Sequence, residues 1–174
     1  MKKLSYLLVL FFAFSLAETA VAQGDKSKRP SPPKTAKASV SGVDVVIDYS
    51  APSVKGRKIF GGLEPYGKVW RTGANEATTF SVSKDVTVNG ETLPAGKYAL
   101  FTIPTEGDWT VIFNKKSNQW GAYSYDANDD ALRLTVTPKK SKDVQEQLMF
   151  AVGDDGKVQF GWEHQTFELM VKAK

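Results

Sequence analysis

The chain has 174 residues, and its 23 lysines and arginines against 19 aspartates and glutamates give a net charge of +4. This charge is too small to indicate a nucleic-acid partner, because nucleic-acid binding needs a concentrated basic face. Cysteine is absent, which excludes disulfides and cysteine nucleophiles, and the length suits one domain whose core needs no covalent cross-links.

The N-terminus has the features of an export signal. Lys2 and Lys3 follow the initiator methionine and make this end basic. The apolar run from Leu4 to Leu16 is shorter than the roughly 20 residues that a membrane-spanning helix needs. Ala20 and Ala22 then place small side chains at alternate positions, as a signal peptidase requires. We predict a signal peptide over residues 1–22 and an exported protein, periplasmic or extracellular, with no transmembrane segment after cleavage.

Residues 23–35 are rich in proline and lysine and contain no large apolar side chain. Such a segment buries too little apolar surface to offset the entropy cost of ordering it. We predict a flexible linker over residues 23–35 and one folded domain over residues 36–174. The basic residues of the linker are interpreted as a solvated tail rather than as a surface for anionic lipid or polysaccharide.

From Ala36 onward apolar and polar residues alternate, the spacing that puts every second side chain on one face of a β-strand. The clearest alternating segments are 43–49, 109–113, 132–136, 148–152, 158–162 and 167–171. Residues 96–103 are apolar on both faces, which predicts a central strand. Turn signals such as Asn89-Gly90 separate the segments. The pattern predicts an all-β fold, an antiparallel two-sheet β-sandwich of jelly-roll or immunoglobulin type.

The longest interruption of this pattern is residues 50–77, which are rich in glycine and show no sustained period. Loops of this length inside a compact domain are uncommon and tend to carry function. We therefore expect a functional site in this loop.

Two strings in this region, residues 57–61 (RKIFG) and 65–80 (PYGKVWRTGANEATTF), carry a resemblance that continues through residues 93–98, 100–104, 109–115 and 119–123. They resemble a bacterial family catalogued as domain of unknown function 2911, over roughly residues 31–150. Members of that family are typically exported, so the resemblance implies export here as well. It implies no activity, substrate or cofactor.

Groups for catalysis or metal binding are scarce. The single histidine, His164, lies near a predicted strand end and is interpreted as a surface or turn residue rather than as a catalytic base. One histidine without cysteines predicts no transition-metal site, and we expect no cofactor. Asp126, Asn128 and Asp130 resemble the opening of a calcium-binding EF-hand loop, but Ala131 stands where that loop needs glycine. A solvated acidic turn is the favoured interpretation.

Glycoside hydrolysis needs two carboxylates about 5–10 Å apart across a cleft. Glu76, in the glycine-rich loop, is the best single candidate for such a role. A structural role competes with it, because Arg71 and Glu76 are close enough in sequence to form an ion pair that ties the loop to the sheet. We favour the ion pair.

Ligand binding has broader support than catalysis. Trp109 and Trp162 are in phase with apolar strand positions and are predicted to be core residues, whereas flat aromatic faces beside Arg, Asn and Gln donors suit sugars or other amphipathic ligands. The best regions for a site are residues 56–77 and 118–125. The candidate ligand-binding residues are Arg57, Tyr66, Trp70, Arg71, Asn75, Glu76, Asn114, Trp120 and Tyr123.

The sequence therefore favours a non-catalytic ligand-binding or structural module of the cell envelope, whose partner is a glycan or another envelope ligand. Two alternatives remain open. One is a glycan-directed hydrolase that uses a carboxylate pair including Glu76. The other is a protein-interaction domain, which would present a large exposed apolar patch or an unprotected edge strand.

Overall fold

The computed structural model describes residues 25–174. The predicted signal peptide and its cleavage site lie outside the described residues. Within them, 3-10 helices occur at Lys26–Lys28 and Ala127–Asp129. The strands are β1 (Pro33–Val40), β2 (Val43–Ser50), β3 (Thr79–Val82), β4 (Val86–Val88), β5 (Glu91–Leu93), β6 (Gly96–Ile103), β7 (Trp109–Asn114), β8 (Asp130–Val136), β9 (Lys139–Val152) and β10 (Lys157–Ala173).

The strands form a large sheet in the order β1-β2-β3-β6-β7-β8 and a small sheet in the order β5-β4-β10-β9. All strand pairings between these elements are antiparallel. The predicted antiparallel two-sheet β-sandwich is confirmed. β6 pairs with β3 on one side and β7 on the other, so the predicted central position of residues 96–103 is correct.

The main core lies between the two sheets and is filled by the alternating apolar residues. Val45 and Ile47 of β2 are fully buried, as are Trp109 of β7 and Trp162 of β10, which confirms both tryptophans as core residues. Phe160 packs among them at the centre. Each such side chain stabilises the fold by about 1.5–3 kcal/mol through removal of apolar surface from water.

A second, smaller apolar cluster lies on the outer face of the large sheet. Ala99 and Phe101 of β6 pack there with Ala77 and Ile112, and residues such as Tyr125 cover them. β6 is apolar on both faces because its inner face meets the small sheet and its outer face meets loops. Those loops, residues 66–78 and 115–126, thereby acquire a fixed position on the sheet.

The folded domain begins earlier than predicted. β1 starts at Pro33 rather than at Ala36, and part of the predicted linker is tied to the domain by polar contacts. Arg29 donates hydrogen bonds of 3.1 and 2.9 Å to the Glu76 carboxylate, and Ser31 accepts one through its carbonyl. Composition did not predict this because it reports only apolar burial, whereas these residues are held by an ion pair and a hydrogen bond.

No helix among residues 25–174 is long and apolar enough to cross a membrane.

Candidate functional site

The two segments predicted to carry a site, residues 56–77 and 118–125, lie against each other. The backbone N–H of Gly121 donates to the Asn75 carbonyl at 3.1 Å, and that of Ala77 donates to the Gln119 carbonyl at 3.0 Å. Glu76 and Trp120 form an isolated antiparallel bridge between these contacts. The segments thus make a short two-stranded ladder, and the candidate residues on both sides of it belong to one surface.

Two large aromatic rings are exposed on this ladder. Trp120 is 55% exposed and Tyr123 is 83% exposed. Gly121 lies between them with a φ of +66°, and a Cβ at this position would be 2.9 Å from the Tyr123 ring and 3.0 Å from Nη1 of Arg71. Glycine is therefore required both by the backbone conformation and by the close approach of two side chains. We call Trp120, Gly121 and Tyr123 the aromatic surface.

Arg71 supplies a guanidinium group at the edge of the aromatic surface. Its Nε is buried without a hydrogen-bond partner, and none of the ion pairs within residues 25–174 involves it. The predicted Arg71–Glu76 ion pair is therefore wrong. Glu76 shares the Trp120 side of the ladder with residues of the N-terminal segment, whereas Arg71 lies against Gly121.

The ion pairs of Glu76 come from the segment before β1. Lys26 approaches its carboxylate at 3.1 Å and Arg29 at 2.9 Å. Partial burial raises the pKa of Glu76, but hydrogen bonds from its own backbone N–H, from Lys26 and from Arg29 outweigh burial and set the pKa at about 2. Glu76 is consequently ionised at neutral pH and has no proton to donate.

Glu64 shows the opposite behaviour. Burial raises its pKa to about 7, and the positive charges of Arg71 and Arg57 only partly oppose this effect. Near neutral pH a substantial fraction of Glu64 is therefore uncharged. Since Glu64 neutralises Arg71 incompletely, the Arg71 guanidinium keeps the capacity to bind oxygen atoms of a ligand.

A groove runs along the outer face of the large sheet beside Glu76. It consists of two adjoining clefts of about 340 Å³ and about 280 Å³, which share Glu76, Ala77, Thr79 and Lys97. We call it the Lys97 groove. Thr79 and Gln119 line it, and both have a buried side-chain oxygen without a hydrogen-bond partner. Neither residue stands out in the sequence, because Thr79 lies in a strand pattern and Gln119 is an isolated amide in a loop.

Two predicted site residues are buried structural residues instead. Trp70 is only 4% exposed, stacks on Trp162 with ring centroids 5.5 Å apart, and donates its indole N–H to the Gly73 carbonyl. Asn114 is fully buried and donates to Asp126 and Asp130. Neither is accessible to a ligand. Trp70 faces the core because its backbone pairs with Thr102 of β6, a contact that no local sequence period reveals.

Two further predicted residues lie at the margin of the loop. Arg57 folds back on its own turn and donates to the carbonyls of Ser53 and Val54. Tyr66 packs its ring on Gly61, where a Cβ would lie 2.6 Å from the ring, and is partly buried against the main core. The structure thus brings Arg71, Asn75, Glu76, Trp120 and Tyr123 together, with Arg57 and Tyr66 outside this group.

The prediction that His164 lies near a strand end or in a turn is wrong, because His164 is a half-buried residue in the interior of β10. The acidic residues 126–130 make local contacts. Nδ1 of His164 lies 3.1 Å from the Ser141 carbonyl oxygen. Asp126 caps the 3-10 helix Ala127–Asp129 by accepting from the Asn128 N–H, and Asp130 pairs with Arg133. Within residues 25–174, no group of three or more His, Asp or Glu side chains is placed to hold a metal ion.

A larger cleft lies elsewhere, between the end of β8 and the β9–β10 hairpin. It has a volume of about 540 Å³, and its lining includes Gln145, Met149, Gln159, Phe160 and Glu168. The pairing of β9 with β10 shifts register on both sides of Glu163, so extra β9 residues bulge at this cleft. The loss of apolar alternation over residues 139–147 was the sequence signal for it.

The comparisons with known proteins give one match. Residues 31–171 match a protein family described as Protein of unknown function (DUF2911). No curated protein and no solved structure matches the chain. The matched range contains the aromatic surface and most of the Lys97 groove, whereas Lys26 and Arg29 precede it.

Proposed function

The chain belongs to the DUF2911 family of proteins of unknown function, and we propose that this member is a non-catalytic module that binds a glycan on the aromatic surface. We further propose that it does so as an exported protein of the cell envelope, periplasmic or secreted. The export proposal is supported by the basic, apolar and small-residue order of residues 1–22.

The observation that carries the binding proposal is the exposure of Trp120 and Tyr123 on a rigid support. These two residues are 55% and 83% exposed, although large aromatic side chains gain most from burial. The ladder of backbone hydrogen bonds at Asn75 and Ala77 holds their segment in place. A sugar ring offers apolar C–H faces to such rings, and binding to a preformed surface avoids the entropy cost of ordering it.

Cationic donors border the aromatic rings. The Arg29 guanidinium lies 6.0 Å from the centre of the Trp120 ring, and Arg71 contacts Gly121 beside Tyr123. Sugar hydroxyls accept hydrogen bonds from guanidinium groups. The surface therefore combines stacking with polar recognition, the combination that amphipathic ligands require.

The state of Glu76 favours binding over hydrolysis. A glycoside hydrolase needs two carboxyl groups across one cleft, one of them protonated at working pH as the general acid. The pKa of Glu76 is about 2, and Glu64, whose pKa burial raises to about 7, lines neither of the clefts that contain Glu76. Asp48 lines the same cleft as Glu76, but it is paired with Lys97 at 3.8 Å. Both carboxylates thus have cationic partners and serve as ion-pair anchors of the surface.

The surface chemistry also gives less support to a protein-interaction domain. The exposed large apolar residues of the described part are Leu63, Trp120, Tyr123 and Val144, and two of these four make up the aromatic surface rather than a broad patch. The edge strand β1 carries Lys34 and Lys37, and charged lysines discourage edge-to-edge strand pairing.

A glycan array followed by calorimetric titration tests the proposal. We expect Trp120→Ala to weaken binding of the best glycan by about tenfold or more, equivalent to about 1.4 kcal/mol, without altering the unfolding temperature. Val144→Ala is the matched control, because it removes another exposed apolar side chain away from the site. Equal affinity of Trp120→Ala and wild type, or no glycan bound at all, would refute the proposal.

A further inference from the structure

Arg71 differs from the other arginines within residues 25–174 in having no partner for its guanidinium group. Arg29, Arg57 and Arg133 each donate hydrogen bonds to carboxylate, carbonyl or hydroxyl oxygens. In the same part of the chain, the Arg71 side chain makes neither a hydrogen bond nor an ion pair. Because Arg71 is partly buried, a positive charge without a partner is costly there, and an anionic ligand would remove this cost.

The terminal nitrogens of Arg71 are within reach of such a ligand. Nε is a buried atom without a partner, whereas Nη1 and Nη2, which also lack partners within residues 25–174, are not buried. The guanidinium therefore turns its inner nitrogen into the protein and keeps its two outer nitrogens in contact with solvent. The N–H groups of Nη1 and Nη2 form an edge that can bind a carboxylate through two parallel hydrogen bonds.

This edge lies beside the exposed ring of Tyr123. Nη1 of Arg71 and Cε2 of Tyr123 lie 3.0 and 2.9 Å from the position that a Cβ on Gly121 would occupy. The two atoms are therefore at most 5.9 Å apart, the sum of these distances. One pyranose ring and its substituents span such a separation. A sugar unit stacked on Tyr123, which is 83% exposed, can thus place a substituent against the Arg71 guanidinium.

The balance of charge also favours an anion at this end of the aromatic surface. The charges of Arg71 and Arg57 act on Glu64, but burial raises the pKa of Glu64 to about 7. At neutral pH Glu64 therefore neutralises the two arginines only in part. At the Trp120 end, by contrast, Arg29 already pairs with the ionised carboxylate of Glu76. An anionic group of the ligand is consequently attracted to Arg71.

A carboxylate matches these donors in shape and charge, because its two oxygens lie in a plane at the spacing of the guanidinium N–H pair. In a uronic acid, such a carboxylate projects from the edge of a ring whose C–H faces can stack on an aromatic side chain. We propose that the aromatic surface binds acidic glycans, with a uronic acid ring on Tyr123 and its carboxylate on Nη1 and Nη2 of Arg71. This inference rests on the proposed function and narrows its ligand from glycans to glycans that contain uronic acid.

Calorimetric titration at pH 7 with tetrasaccharides of alginate and of polygalacturonate, each compared with its own methyl ester, tests the ligand class. Acid and ester share ring faces and hydroxyls, so the ratio of their affinities isolates the carboxylate contact. For wild type we expect the acid of at least one pair to bind about tenfold or more tightly than its ester, the size of a hydrogen-bonded charge contact. Arg71→Gln should reduce this ratio to about one.

Two further variants control for charge and for folding, which circular dichroism checks in each case. Arg71→Lys keeps the charge but loses the paired N–H edge, so it should keep a preference for the acid that is smaller than that of wild type. Lys142→Gln removes one positive charge from the exposed side of β9 and should leave the ratio unchanged. A wild-type ratio in Arg71→Lys would contradict the paired contact.

The outcomes separate this inference from the proposed function. Equal affinities of wild type for acid and ester, or an unchanged ratio in Arg71→Gln, would overturn the acidic class. If a neutral glycan still bound and lost its affinity in Trp120→Ala, the proposed function would stand without the inference. If no glycan bound, acidic or neutral, both would be refuted.

Discussion

Arg29 contacts Trp120 and Glu76 at once, with its guanidinium carbon 6.0 Å from the centre of the indole ring and its Nη1 2.9 Å from a carboxylate oxygen. Together with the Lys26–Glu76 ion pair and the hydrogen bond from Asn75 to the Ser31 carbonyl, this side chain holds the segment before β1 against the candidate site. We expect Arg29→Ala to release residues 25–32, which hydrogen–deuterium exchange would show as faster exchange of their amides. Lys37 lies in β1 and takes part in none of the ion pairs within residues 25–174. Lys37→Ala should therefore leave that exchange unchanged.

The low pKa of Glu76 predicts an acid-dependent loss of stability. Because the folded pKa of about 2 is below the ordinary glutamate value of 4.5, the contribution is present above about pH 5 and is lost as the pH falls towards 2. Its size is about 1 kcal/mol or less, since the side chain is 40% exposed and solvent screens the pair. Urea unfolding should show Glu76→Gln less stable than wild type at pH 7, with the difference fading near pH 2; a constant difference would contradict this assignment.

Glu64 predicts a pH dependence of opposite sign. Its folded pKa of about 7 lies above the ordinary glutamate value of 4.5. The folded state therefore holds an extra proton between these two pH values, and stability falls as the pH rises through this window. Glu64→Gln removes the cost of ionising a buried carboxyl, and we expect it to stabilise the protein by about 2 kcal/mol at pH 8. At pH 4 the variant and wild type should unfold at similar urea concentrations, which serves as the internal control.

The sequence predicts a structural feature of this protein when the feature follows from a local alternation of apolar and polar residues. The alternation of Val43, Val45 and Ile47 specified both the strand and its buried face, and the two-faced apolar pattern of residues 96–103 specified a central strand. Trp70 lies in no periodic segment, so its pairing with Thr102, 32 residues further on, was not predictable. The predicted ion-pair partner of Glu76 was wrong for the same reason, because its observed partner Arg29 is distant in sequence.

The ion-pair partner of Glu76 could not be predicted from the sequence. A carboxylate accepts from any cation that the fold brings within reach, and Arg29 is separated from it by 47 positions. Sequence proximity favoured Arg71, which the structure places against Gly121 instead. Residues 56–77 and 118–125 were both predicted to carry a site, but the contact between them was not predicted.

Gly121 tests the geometry of the aromatic surface. We expect Gly121→Ala to destabilise the protein by about 1–2 kcal/mol through its positive φ and to displace Tyr123 and Arg71, which lie within 3.0 Å of the new Cβ. Gly67→Ala is a matched control, because its φ is +74° but nothing lies within 4 Å of its Cβ. Both variants should lose similar stability in urea unfolding, whereas only Gly121→Ala should lose glycan affinity.

The two tryptophans proposed for the site should behave differently when truncated. Trp70→Ala leaves a cavity in the main core and should cost about 3–5 kcal/mol in the free energy of unfolding. Trp120→Ala removes an exposed ring and should change it by no more than about 0.5 kcal/mol. Thermal unfolding followed by circular dichroism distinguishes these outcomes, and similar losses in both variants would contradict the assignment of Trp70 to the core and Trp120 to the surface.

The central position of β6 separates the residues that stabilise the fold from the exposed residues proposed to bind a ligand. Leu100 packs into the main core and Phe101 into the outer cluster, from adjacent positions of β6. The loops that carry the site therefore pack on a strand that also forms the sandwich core. The exposed side chains of Trp120 and Tyr123 belong to neither cluster. Their identities can therefore vary freely while the scaffold stays folded, which allows one architecture to present different recognition surfaces.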